Sequence, residues 1–128
     1  MTKNLFYFFL LIPFFSISQG WVQTGQTING TAFMEGLGRG ISSNEQGDII
    51  AVGSVGDDTG GTNAGLVKVL QLVNNVWTQL GQNIIGEASG DNLGESVSLN
   101  DQGNILAVGA RLNDNFANNS GQVRIFEY

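Results

Sequence analysis

The chain has 128 residues, of which 41 % are apolar and only 12 % charged, with 19 glycines, one proline, no cysteine and no histidine. A formal charge of −6 argues against a nucleic-acid partner, because neutralising phosphates needs clustered Lys and Arg. Without cysteine, disulfides, thiolate chemistry and lipoprotein acylation are excluded, and without histidine the usual general base and most zinc sites are gone.

The ordinary apolar fraction separates the chain from disordered acidic tails, and the abundant glycine suits short strands joined by tight turns. At the N-terminus, Lys3 precedes an almost wholly apolar run over residues 5–15 that includes Pro13, and Ser16-Ile17-Ser18 follows. This order is that of a signal peptide over residues 1–18, cleaved before Gln19. A membrane-spanning helix needs roughly 20 apolar residues, about twice this run. The expectation is an exported chain, secreted or at the cell surface, with no transmembrane segment after cleavage.

Beyond the leader the sequence repeats itself. Trp21 recurs as Trp77, and the same step of 56 residues holds without a gap to the C-terminus. Gly25-Gln26 returns as Gly81-Gln82, Leu37-Gly38 as Leu93-Gly94, Gln46-Gly47 as Gln102-Gly103, and Ala51-Val52-Gly53 as Ala107-Val108-Gly109. So dense a match at one offset marks a duplication, with copies over residues 21–76 and 77–128 inside a repeat region of 19–128. Within each copy Ile49-Ile50-Ala51-Val52 and Ile105-Leu106-Ala107-Val108 read as strands covered on both faces. The tetrads ending at Asp48 and Asn104 read as hairpin turns, with Gly47 and Gly103 supplying positive φ. Gly94-Glu95-Ser96-Val97-Ser98-Leu99 alternates polar and apolar as a half-buried strand.

Four antiparallel strands are expected per copy, in the first over residues 36–44, 48–54, 65–73 and 76–81; the second stops after three. The predicted fold is therefore all-β: two tandem four-stranded blades of a partial β-propeller behind a signal peptide. Two blades do not close a ring, where about four to eight are usual. Two arrangements stay open: residues 20–26 complete the last blade, or the sequence is a piece of a longer array.

Leu93-Gly94-Glu95-Ser96-Val97 and Ile105-Leu106-Ala107-Val108-Gly109-Ala110 together resemble the FG-GAP repeat of integrin-α-type propellers. With Trp77-Thr78-Gln79-Leu80-Gly81, the pattern is more similar still to FG-GAP-like repeats of exported Bacteroidetes proteins. The resemblance implies propeller blades and an extracellular role, and names no ligand. It departs from the family in having Leu before glycine at Gly38 and Gly94, and no proline after Gly53 or Gly109. It also lacks the family's Asp-rich calcium loop between the first two strands: calcium takes about six to eight oxygens, and the turns over residues 44–48 and 100–104 hold one or two acids.

The remaining acids are few. Asp57-Asp58 and, in the second copy, Asp114 are weak candidates for a metal loop, against the plainer reading of turns whose Asp and Asn side chains bond their own backbone. Asp91 and Glu95 are the nearest thing to a glycosidase pair. Serine has no histidine partner, so no Ser-His-Asp triad exists within the chain. The glycine-rich stretches lack the lysine and the strand-to-helix setting of a phosphate loop. Trp21 and Trp77, placed alike in both copies, fit packing between blades better than sugar stacking. The expectation is a non-catalytic surface interaction or adhesion scaffold, without a cofactor, that binds an unknown protein or glycan and self-associates or joins further blades. The alternative is a calcium-dependent or carbohydrate-binding extracellular protein.

Overall fold

The computed structural model describes residues 20–128, so the leader over 1–18 and its cleavage point at Gln19 lie outside the described residues. The described elements are all strands: β1 Leu37–Ser43, β2 Ile49–Ser54, β3 Leu66–Val73, β4 Val76–Gln79, β5 Ile84–Ile85, β6 Leu93–Leu99, β7 Ile105–Ala110 and β8 Gln122–Glu127. Among the described residues no helix is long and apolar enough to cross a membrane. A first antiparallel sheet runs β1-β2-β3-β4, with β5 on the edge of β3 that β4 leaves free; a second runs β6-β7-β8.

The duplication holds strand by strand. Leu37 and Leu93, Ile49 and Ile105, and Leu66 and Gln122 open corresponding strands one repeat apart. The first hairpin of each sheet also shifts register in the same place, after Leu37 and after Leu93. The turns explain part of this fidelity. Asn44 Oδ1 accepts hydrogen bonds from Asp48 N at 3.1 Å and Ile49 N at 3.0 Å, and its Nδ2 donates to Asp48 Oδ1 at 2.7 Å. Asn100 does the same with Asn104 N at 3.0 Å, Ile105 N at 2.9 Å and Asn104 Oδ1 at 2.8 Å. A short side-chain amide is both acceptor and donor, so one residue closes the turn that Gly47 and Gly103, at φ 71 and 76, allow the chain to make. A second tight turn, Asn74-Asn75, joins β3 to β4 with both residues left-handed at φ 51 and 63.

The sheets stack face to face, β6 lying over β1 and β2. Successive strand residues point to opposite faces. Ala51 and Val67 therefore meet Leu93, Leu106, Val108 and Ala110 of the second sheet in the shared core, with Val69, Ile84 and Phe126 around them. At one end of the seam no side chain intervenes. A Cβ added at Gly53 would stand 2.0 Å from Gly94 O, and one at Gly40 would stand 2.4 Å from the same oxygen.

Three features differ from the sequence reading. The fourth strand ends at Gln79, and the short strand β5 follows it. The second sheet has the three strands read from the sequence, but residues 20–26 do not add its fourth: Thr24, Gly25 and Gln26 lie against the β3-β4 hairpin of the first sheet. Trp21 and Trp77 consequently differ in surroundings, the first fully exposed and the second half-buried. The Gln26 side chain brackets the Trp77 residue, accepting from its N–H and donating to its C=O, both at 2.8 Å.

The seam generates a paired test. At Gly109, the counterpart of Gly53, an added Cβ meets Ser96 Oγ at 2.3 Å, the end of a rotatable side chain. Gly53→Ala is expected to lose about 1–3 kcal/mol of stability by overpacking, and Gly109→Ala clearly less. Urea denaturation midpoints at a common slope measure the difference.

Candidate functional site

Stacking two copies of one sheet brings equivalent positions together, and one such pair carries opposite charges. Arg39 on β1 and Glu95 on β6, one repeat apart, approach to 3.5 Å across the seam. Arg111, just past β7, donates through Nε to Glu95 Oε2 at 2.8 Å. The Arg111 hydrogen bond is the main cause holding the Glu95 carboxyl below the usual carboxylate range; partial burial opposes it, and the charges of Arg111 and Arg39 add to it. The Glu95 side chain is 24 % exposed and the two arginines 63 % and 65 %, so solvent screens these ion pairs.

Asp91 is engaged elsewhere. Its side chain is buried, with Oδ2 accepting from Ala88 N and from Asn113 Nδ2, both at 3.0 Å. It thereby ties the segment before β6 to the loop after β7. Its counterpart Glu35 is also buried and accepts from Thr31 N at 2.6 Å and Thr31 Oγ1 at 2.8 Å. Chiefly because of the Thr31 hydroxyl, the Glu35 carboxyl is held low. A glycosidase acid needs a raised pKa, the reverse of what the two arginines do at Glu95.

The Asp57-Asp58 loop between β2 and β3 folds on its own side chains. Asp57 Oδ1 accepts from Thr59 N and Asp58 Oδ1 from Asn63 N, both at 2.8 Å. The second copy repeats the pattern: Asn113 Oδ1 accepts from Asn115 N at 3.1 Å, and Asp114 Oδ1 accepts from Asn119 N. Both loops close with a glycine N–H on the first loop residue's carbonyl, Gly65 on Asp57 and Gly121 on Asn113, each at 3.0 Å. Asp57, Asp58 and Asp114 are thus placed as loop formers. Among the described residues no three acidic, imidazole or thiol groups gather to hold a metal ion.

One concavity was missed by motif reading. A cleft of about 580 Å³ opens between the sheets at the β5 and β8 side, lined by Leu80, Gly81, Gln82, Ile84, Phe126 and Tyr128 among others. On its rim the Arg124 guanidinium donates to Ile85 O at 2.9 Å and lies 5.0 Å from the Phe126 ring centroid. The repeat itself was the available signal, since Gly81-Gln82 are the counterparts of the Gly25-Gln26 pair that holds Trp77. No protein-family model matches the chain, and comparison with curated proteins and with solved structures finds no match either.

The depressed carboxyl at Glu95 sets a pH dependence. A group whose folded pKa lies below its unfolded one stabilises above the unfolded value, and that contribution is lost as pH falls through the folded one. Glu95→Gln is expected to lower the melting temperature near neutral pH, with the gap to the parent closing as the pH drops through the acid limb; thermal melts across that range measure it. Because one carboxylate oxygen of each of Asp57 and Asp58 already serves the loop backbone and no third acid joins them among the described residues, millimolar calcium is expected to leave the melting temperature where EDTA leaves it. A calcium-dependent rise would make the loop a metal site.

Proposed function

We propose that the chain is a pair of FG-GAP-like β-propeller blades from an exported protein, acting as a non-catalytic scaffold for surface interaction or adhesion. The observation that carries the reading is the stacking of two sheets one repeat apart. Their matching loops flank one connecting segment, where Asn92 N donates to Asn63 O at 3.1 Å and Gly90 N to Thr62 O at 2.8 Å on one side, and Asp91 Oδ2 accepts from Asn113 Nδ2 at 3.0 Å on the other. Loops held at one end of a rigid scaffold are the usual place for recognition. The second loop also presents Phe116, 95 % exposed.

The acids that the sequence offered for chemistry support the same view. Asp57, Asp58, Asp91 and Asp114 accept hydrogen bonds from nearby backbone N–H groups, and Glu95 is spent on arginines. Export is tested by mass analysis of the extracellular protein, whose first residue is expected to be Gln19; retention of the uncleaved chain in the cytoplasm would refute it. For the interaction role, Phe116→Ser is expected to abolish binding on protein and glycan arrays while moving stability by no more than about 0.5 kcal/mol, as for a surface substitution. Turnover of a glycoside or peptide by the pure protein, lost on Glu95→Gln, would replace the scaffold with an enzyme.

A further inference from the structure

We propose that this chain assembles head to tail with a second copy of itself. Residues 20–23 of that copy fill the fourth-strand place beside β8, and its first sheet covers the open face of β6-β7-β8. The proposal rests on reading the two sheets as successive blades.

The vacant place has a filled counterpart within the same molecule. In the first sheet Trp77 pairs with Leu72, the Gln26 amide brackets its backbone, and Gly25 lies so close that an added Cβ would stand 2.7 Å from the indole and 3.2 Å from Leu72. One repeat later Gly81, Gln82 and Tyr128 replace Gly25, Gln26 and Leu72, with an added Cβ at Gly81 3.5 Å from Tyr128. Where the next tryptophan would lie is the 580 Å³ cleft. The Gln82 side chain is exposed and makes no hydrogen bond among the described residues, and β8 pairs only with β7. An unpaired edge of this kind is a template for another strand.

The matching strand lies at the other end of the chain. Trp21-Val22-Gln23 corresponds to Trp77-Thr78-Gln79 of β4, yet among the described residues no sheet receives it: Trp21 and Val22 are fully and 86 % exposed.

The same second copy accounts for the open sheet face. Val67, at 0 %, is covered by the second sheet, whereas its counterpart Val123 is 69 % exposed and Ile125, the counterpart of half-buried Val69, is 65 % exposed. Stacking one repeat further would set Arg39 of the second copy over Glu95, again a pair of opposite charges. Ser43 and Ser54 of the second copy take the places of Leu99 and Ala110, and at the closest approach Ser96 stands where Gly40 lets Gly94 come near. The Ser96 side chain widens this second seam, so association is weaker than the stack within one chain. Contacts of this head-to-tail kind close into rings or run on as filaments.

The register of β3 on β4, with Gln71 opposite Thr78, places Val22 of one copy opposite Glu127 of the next. The protein has no cysteine, so Val22→Cys and Glu127→Cys variants, mixed under mild oxidation, report that contact alone. The mixture is expected to give a disulfide-linked dimer that neither variant gives alone. The dimer should be lost on adding Trp21→Ala or Gln82→Ala, both at exposed positions outside the core, and increased several-fold by Ser96→Gly. No excess cross-linking in the mixture overturns the proposal. So does a monomeric disulfide in the double variant at high dilution, which would show the chain supplying its own strand. Failure here with the Gly53 and Gly109 difference intact would remove the assembly and leave the blade reading standing.

Discussion

The structure depends on close backbone approach between its sheets, above all the carbonyl of Gly94 laid against the bare Cα of Gly53 with Gly40 beside it. Two sheets ordinarily pack about 10 Å apart because side chains stand between them. Here β6 comes nearer than that spacing at one end of the seam. Small core residues, Ala51 and Ala110, accompany it, and Val67, paired with Gly53, and Leu93, next to Gly94, flank the contact. The same approach puts repeat-equivalent positions in contact, which is why an arginine and a glutamate one repeat apart become an ion pair.

Much of this was legible in the sequence because the determinants are local. The Asn44 and Asn100 turns, the apolar runs of β2 and β7 and the alternation along β6 each depend on neighbours within a few residues, and the fixed repeat made the turns and the apolar runs visible twice. What escaped depends on partners far along the chain. Gln26 and Trp77 are far apart in sequence, and nothing at Gln26 announces that its amide will bracket a peptide unit. The cleft beside Tyr128 and the pairing of β5 with Leu66 and Val67 are likewise tertiary products.

The acidic residues teach a similar lesson about sites. Asp57 and Asp58 look like the start of a cation loop in one dimension. Folded, they act as caps for N–H groups that a tight loop leaves without strand partners, a service that buried or turn backbone requires of someone. Asn113 performs it as well as Asp57 does, and as an amide it also donates to Asp91. Replacing the carboxylate by an amide between copies keeps the acceptor, adds a donor and removes a negative charge from beside a buried acid.

The Asn74-Asn75 turn has a further consequence. Hairpin turns with two left-handed residues most often place glycine second, which would relieve strain at Asn75. That residue's Oδ1 instead accepts the Gly25 N–H at 3.2 Å, a bond glycine could not make. The incoming N-terminal segment and the β3-β4 hairpin are in this way thermodynamically linked: fraying of one deprives the other of a partner, so amide exchange at Gly25 and opening of the hairpin belong to a single cooperative event.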